Sequence, residues 1–378
     1  MESVSGHAQR LTTVTLHLAH MTANLRLLQA QAPGAALWPV IKANAYGHGA
    51  LPVARHLAGL GYRKVCVADV SEAAALAESG LGLATVILSP PLPEHAAALV
   101  TLGCEPVICT EDMANALNAA ADKAGRRVPV HIAVDTGMGR VGMRPADTPA
   151  FFAACEALPG LAVVGIMSHF ASADEADKTV AEAQLGRFQA LTAAIGRRPG
   201  LQYHMANSAG MLELPGAAFD AVRPGIAMYG LPPSADIANP AAAALRPALE
   251  WTTPIVYLKE VPAGTGLSYG HDYHTPAPAL IATVPVGYGD GLHRNLSGRM
   301  EMIVQGVRCP QVGRITMDLS LLDVTALRGL VHLGDEAVII GQRGGAAQCA
   351  DDLAATLGTI NYEIVTAITQ RVTRRIAT

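Results

Sequence analysis

Between about Met21 and Gly225 the chain repeats one pattern eight times: a short β-rich run, a turn, and a longer stretch with helical spacing of apolar residues. The runs lie near Ala36 to Ile41, Lys64 to Ala68, Thr85 to Leu88, Pro106 to Cys109, Pro129 to Val134, Leu161 to Met167, Leu201 to Met205 and Phe219 to Val222, with a helix around Ala23 to Ala30 before them. Strands alternating with helices join in parallel through right-handed crossovers, and eight such units in about 200 to 250 residues suit a closed (β/α)8 barrel. The runs are mostly apolar, as strands covered on both faces should be.

The texture changes after the alanine-rich, proline-bearing stretch Asn239 to Pro247. Alternating runs broken by glycine turns follow, such as Ile255 to Lys259, Leu280 to Val284 and Met300 to Val304, then a helix over about Ala350 to Leu357 and a final strand near Glu363 to Val372. The expected fold is α/β: an N-terminal TIM-like barrel over residues 11–244, then a mostly β C-terminal domain over 245–378, which residues 1–10 could adjoin. At 378 residues two domains are the natural division.

Hydrophobic residues make up 51% of the chain and charged residues 15%, so a large core is easily supplied and disorder is not expected. A net charge of -4 with no block of like charges argues against nucleic-acid binding. The six cysteines form no Cys-x-x-Cys pair and no His/Cys cluster at zinc spacing, so no metal is expected and the thiols read as reduced. The first twenty residues lack a basic segment followed by an apolar one, and no apolar run is long enough to span a bilayer. A cytoplasmic protein without membrane partners is the expectation.

In a barrel, reactive groups collect at the carboxyl ends of the strands. Here the first run closes on Lys42, with Tyr46 a turn later in a glycine-punctuated loop; the fifth closes on Asp135-Thr-Gly-Met-Gly-Arg140 and the sixth on Ser168-His169-Phe170. The seventh carries His204-Met-Ala-Asn207-Ser208, and the eighth ends in Arg223-Pro-Gly225-Ile226. Each has an ordinary explanation alone: a solvated lysine, a helix cap, an interior histidine, an ion-pair arginine. As a set they favour a site. A lysine amine at a strand end can react with a carbonyl cofactor such as pyridoxal phosphate, and the loops after the last two strands are a common phosphate seat.

With these words in view the chain resembles the alanine racemase family of pyridoxal-phosphate enzymes over nearly its whole length. The matching words are Val40 to Gly49, Asp135 to Arg140, Ser168 to Phe170, Asn207-Ser208, Arg223 to Ile226, Ser268-Tyr269-Gly270, Gly287-Tyr288-Gly-Asp290, Met317-Asp318 and Gly358 to Glu363. The resemblance implies an isomerase that interconverts L-alanine and D-alanine, for peptidoglycan precursors or for alanine catabolism. It makes Lys42 the Schiff-base lysine and one of two catalytic bases, and Tyr269 the other. Tyr46, Ser208, Gly225, Ile226 and Tyr362 would hold the phosphate of pyridoxal 5'-phosphate. Arg223 would face the pyridine nitrogen with His204 behind it, and His169 would lie near the ring. Arg140 and the backbone N–H of Met317 would contact the substrate carboxylate, and Tyr288, like Tyr362, would narrow the pocket mouth.

Returning a proton to the opposite face of a carbon needs a base on each face, and the resemblance takes Tyr269 from the neighbouring subunit of a homodimer. An arginine rather than an aspartate at the pyridine nitrogen weakens the ring as an electron sink and suits a narrow reaction. One departure stands out: many relatives carry a carbamylated lysine two residues before the aspartate of Asp-Thr-Gly, and here that residue is Ala133. The alternatives on the same scaffold are a racemase of serine or another amino acid, a decarboxylase of basic amino acids, and a non-enzymatic pyridoxal-phosphate homeostasis protein that resembles the barrel alone.

Overall fold

The structure, a computed structural model, describes residues 10–377. The chain before that, including most of the segment 1–10 that could adjoin the second domain, lies outside the described residues. Two compact units are present, one of residues 20–246 and one combining residues 10–19 with 247–377.

The strands in chain order are β1 (Thr13–Leu16), β2 (Ala36–Leu37), β3 (Lys64–Val67), β4 (Ala84–Ile87), β5 (Glu105–Ile108), β6 (Val128–Ala133), β7 (Leu161–Met167), β8 (Gln202–His204) and β9 (Ala221–Val222). In the 20–246 unit, β2 to β9 form one eight-stranded parallel sheet in the order β2-β9-β8-β7-β6-β5-β4-β3. The sheet curls until its ends meet: past β2, Val40 bridges Cys66 of β3, with Ile41 N–H donating to Cys66 C=O and Cys66 N–H to Pro39 C=O, both at 2.8 Å. Val65, Val86, Val107, Val130 and Ile132 are fully buried, which is why these runs are apolar throughout. Eight parallel strands appear where eight were read, most within a residue of the expected bounds.

Side-chain caps start helices soon after the strand ends. Asp69 accepts from the N–H groups of Ser71 and Glu72 ahead of helix Val70–Glu78, Thr110 from Met113 ahead of Glu111–Lys123, and Asn207 from Gly210 ahead of Ser208–Glu213. These caps fix where each strand's chain turns, and so where its terminal side chain is presented.

The other unit holds a ten-stranded sheet built from β1 with β10 (Leu249–Pro254), β11 (Tyr257–Val261), β14 (Ala279–Val284), β15 (Glu301–Val304), β16 (Val307–Val312), β17 (Ser320–Asp323), β18 (Glu336–Arg343), β19 (Ala346–Gln348) and β20 (Thr373–Ile376). The strands β12 (Gly266–Leu267) and β13 (Tyr273–His274) form a separate small hairpin. The β1 strand runs antiparallel to β10 and parallel to β20. Helix Ala350–Leu357 has the expected bounds. The expected final strand near Glu363 to Val372 is corrected: Asn361–Thr366 is helical, and the strand comes later, at Thr373–Ile376. Ile364, Val365 and Ile368 are all buried, and their spacing of one and four residues is helical, a short pattern that a sequence reading confuses with a strand.

Candidate active site

Lys42 stands where the first barrel strand gives way to its loop. The next four residues, Ala43, Asn44, Ala45 and Tyr46, all have φ between 51° and 54°, a left-handed turn made of residues with side chains. Left-handed geometry costs an L-residue about 1–2 kcal/mol, so four in a row must be held by the surroundings. Glu72 does much of this: its carboxylate accepts from Ala43 N–H at 2.6 Å and Ala68 N–H at 2.7 Å. Asn44 Oδ1 accepts from Ala50 N–H at 2.8 Å and closes the loop from the other end.

The turn delivers Lys42 to a cavity of about 230 Å³ at the carboxyl ends of the strands, lined also by Ala133, Arg140, Ser168, His169 and Arg223. That is room for a small planar ligand and not for a polymer segment. Burial, with the positive charges of Arg140 and Arg223, holds the Lys42 amine below its ordinary value, more than Glu72 raises it. More of the neutral amine is therefore present near neutral pH, which both nucleophilic attack and proton abstraction require.

Arg223 is the buried cation of the site. Its guanidinium donates to Ser168 C=O at 2.7 Å, Met205 C=O at 3.0 Å, His204 Nδ1 at 2.6 Å and His169 Nδ1 at 3.3 Å. Burial pulls its pKa down to about 10, which still leaves it charged at neutral pH. His204 is fully buried, and burial together with Arg223 pushes it well below the usual imidazole range; His169 is pushed the same way by burial, Arg223, Arg140 and Lys42. Both rings are neutral.

Beside this cavity, Tyr46, Ser208 and Gly225 interlock. Tyr46 is buried with its ring 5.0 Å from that of Tyr229. Ser208 Oγ accepts from Gly225 N–H at 3.0 Å and Ala227 N–H at 3.3 Å, at the start of the short turn Ile226–Tyr229. A Cβ on Gly225 would lie 2.4 Å from the Tyr46 hydroxyl, so only glycine permits this approach. Two hydroxyls and a run of backbone N–H groups are thereby gathered at one place, a donor set suited to an anion.

Arg140 ends the loop that Asp135 organises, the Asp135 carboxylate accepting from Gly137, Met138 and Gly139 N–H at 2.9, 2.9 and 3.1 Å. Among the described residues Arg140 has no carboxylate within ion-pair distance. Ala133, buried at the end of β6, lines the cavity with it.

Lys42, Arg140, His169 and Arg223 are thus brought to one cavity, His204 bonds to Arg223 from behind, and Tyr46, Ser208, Gly225 and Ile226 form the adjoining donor cluster. Tyr269, Tyr288, Met317 and Tyr362 belong to the other unit. Tyr269 sits at the tip of the β12–β13 hairpin and is 71% exposed; Met317 and Tyr288 are 52% and 42% exposed. Ser268, with φ 62°, donates its hydroxyl to Arg314 C=O at 2.6 Å, and Arg314 pairs with Asp272, so the hairpin tip is tied to its own unit. Tyr288 and Met317 are linked by backbone bonds in which Tyr288 and Gly289 N–H donate to Thr316 and Met317 C=O, over an Asp290 carboxylate held by Arg10 and Arg371. Tyr362 lies half-buried in helix Asn361–Thr366.

The sequence reading missed Glu72, which holds the left-handed turn, and a buried series Lys64, Glu105 and His131 that continues from His204. The signal for His131 was present: one imidazole inside the apolar run Val128-Pro-Val-His-Ile-Ala133.

Comparison with known proteins identifies the family to which the two units correspond. Residues 16–233 match the family model for the alanine racemase N-terminal domain, and residues 248–376 that for the alanine racemase C-terminal domain. The alanine racemase of Halothermothrix orenii is 42% identical over 89% of this chain and 88% of its own length. Among solved structures, the alanine racemase of Streptomyces coelicolor A3(2) is 38% identical with a TM-score of 0.89, covering 97% of this chain and 98% of that one. That of Clostridium difficile 630 is 29% identical with a TM-score of 0.92 over 98% of this chain and 96% of its own.

Proposed function

The chain belongs to the alanine racemase family and is an isomerase of that kind, and from this premise we propose how its residues divide the work. It interconverts L-alanine and D-alanine with pyridoxal 5'-phosphate at the carboxyl end of the barrel. Lys42 acts on one face of the substrate carbon, and Tyr269 of a second copy of the chain acts on the other. The product serves peptidoglycan precursors or alanine catabolism, in the cytoplasm, where the six free cysteines would stay reduced.

The residues suit that cofactor. A neutral amine at Lys42 can hold its aldehyde carbon, and the cluster of Tyr46, Ser208, Gly225 and Ile226, with Tyr362, offers donors for its phosphate. When bound, the cofactor supplies an electron-withdrawing ring that acidifies the substrate's α-proton. Arg223, a donor with no proton-accepting atom, would face the ring nitrogen and leave it unprotonated. Its positive charge also keeps the Lys42 amine neutral enough to take a proton. His169, neutral and bonded to Arg223, would flank the ring without adding charge.

Arg140 would orient the substrate carboxylate, joined by the Met317 N–H, while Tyr288 and Tyr362 would restrict the mouth to a small side chain. The exposure of Tyr269, Tyr288 and Met317 supports a homodimer that covers them, since large apolar groups gathered near a reactive tyrosine suit an interface. The observation that carries the reading is the desolvated Lys42 amine beside two arginines in one small cavity.

The test is exchange of the α-proton of each alanine enantiomer in deuterated water, for wild type, Lys42→Ala and Tyr269→Phe. Two opposed bases predict that each substitution damages abstraction from a different enantiomer. Equal loss in both directions would favour one shared base.

A further inference from the structure

Arg223 is a buried cation with no carboxylate against it among the described residues. Its hydrogen bonds go to two backbone carbonyls and two imidazoles. The counter-charge lies further down the barrel. From Arg223, His204 Nε2 meets His131 Nδ1 at 2.9 Å, His131 Nε2 meets Glu105 Oε2 at 2.9 Å, and Lys64 Nζ meets the same oxygen at 2.5 Å. Both imidazoles are fully buried, and the Trp38 indole packs against them, its ring centre 4.7 Å from that of His204 and 5.7 Å from that of His131. Lys64 Nζ lies 4.5 Å from the centre of the same indole.

Donor chemistry fixes every proton in the series. An arginine only donates, so His204 Nδ1 must accept, and the single proton of a neutral His204 is on Nε2. That proton is given to His131 Nδ1, which leaves the His131 proton on Nε2, given in turn to the Glu105 carboxylate. A second proton on either ring would set donor against donor. Burial opposes charge on Glu105, but the bonds from His131 and Lys64 outweigh it and hold its carboxyl below the usual range. Burial likewise keeps His131 below the ordinary imidazole range despite Glu105. The charged and titratable groups around the series include Lys64, Glu105, Arg223, the His169 ring bonded to Arg223, and the buried Cys66 and Cys104 thiols.

The backbone is shaped around it as well. His131 pairs with Gly165 on β7 beside a register shift, and a Cβ on Gly165 would lie 2.0 Å from His131 Nδ1. The space for the ring exists only because residue 165 has no side chain.

We propose that Glu105 and His131 are positioning residues for the racemase reaction: acting through His204, they hold the Arg223 guanidinium in one orientation and balance its charge from a distance, so that no carboxylate bonds the guanidinium itself. A carboxylate in the place of His204 would neutralise Arg223 and cancel its effect on the Lys42 amine. Two neutral imidazoles pass on polarisation without placing an anion there. The role assigned to Arg223 at the cofactor rests on the reading above; the proton order does not.

The test pairs spectroscopy with two substitutions. Nitrogen-15 histidine NMR of the full-length protein, before and after adding pyridoxal phosphate, should show His131 and His204 neutral and protonated on Nε2, with no titration between about pH 6 and 9. A proton on Nδ1 of either ring, or titration of either in that range, overturns the proposal. His131→Gln keeps the direction of the series, its amide oxygen accepting and its nitrogen donating, whereas His131→Leu breaks it. The leucine variant should lose about tenfold or more in kcat with little change in KM for alanine, and the glutamine variant should recover to within about threefold of wild type. Equal harm from both, with melting temperatures matching wild type, or no harm from either, overturns the proposal. Wild type with the stated proton order that takes up no pyridoxal phosphate supports the series and sinks the cofactor reading alone.

Discussion

Acidification should unfold this barrel from the inside. His131 and His204 are fully buried, His169 lies against Arg223, and all three are held neutral in the fold, whereas in the unfolded chain each binds a proton below about pH 6.5. Below that value the unfolded state carries more protons, so stability falls as pH falls, by about 1.4 kcal/mol per pH unit for each ring. From pH 7.5 to 5.5 the three together remove about 4 kcal/mol, a large part of the roughly 5–15 kcal/mol that holds a domain folded. The assay is urea unfolding, followed by the fluorescence of Trp38 and Trp251, at both pH values. Replacing His204 with asparagine removes one titrating group and should reduce the loss by about a third, whatever it does to stability at pH 7.5. Stability at pH 5.5 within about 1 kcal/mol of that at pH 7.5 would refute the claim that these rings are held uncharged.

Gly225→Ala drives a methyl group to 2.4 Å from the Tyr46 hydroxyl, and pyridoxal-phosphate retention, measured by absorbance titration, should weaken by about tenfold or more; unchanged affinity would remove this cluster from the phosphate site. Ala133→Lys places an amine beside Arg140, where reaction with carbon dioxide would create a carbamate, so its KM for alanine should fall when bicarbonate is added. In wild type, chloride should stimulate racemisation if an inorganic anion partners Arg140, and a flat chloride titration would show that the arginine works unpartnered. Arg223→Glu replaces a donor that cannot accept a proton by a group that can protonate the ring nitrogen, so product analysis should show more transamination; an unchanged product profile would count against Arg223 as the reason for a narrow reaction.

The barrel was legible because its strands are buried on both faces and closed by turn residues, so that β5, β6 and β7 read as apolar runs with clear ends. The β1 strand was not: its partners β10 and β20 lie at the other end of the chain, and four residues of Thr-Val-Thr-Leu carry too little pattern to announce a strand. The terminal helix Asn361–Thr366 was misread because two buried β-branched neighbours, Ile364 and Val365, look like a strand until Ile368 is included in the period. At the site, Lys42, His169 and Arg223 were visible as polar residues ending apolar runs. Glu72 was invisible, since its carboxylate accepts from backbone N–H groups around a left-handed turn that no residue preference predicts. Glu105 lies just ahead of the run read from Pro106, and only the fold brings it within 2.9 Å of His131.

The central claim is a site completed by two chains, and mixing two dead enzymes tests it most directly. Lys42→Ala and Tyr269→Phe should each lack racemase activity. Unfolded together and refolded as a one-to-one mixture, about half of the dimers combine the two variants, and each of those has one site with both Lys42 and Tyr269, giving about a quarter of wild-type activity. Activity that stays at the level of the separate variants, in a mixture shown to contain the mixed dimer, would contradict the account.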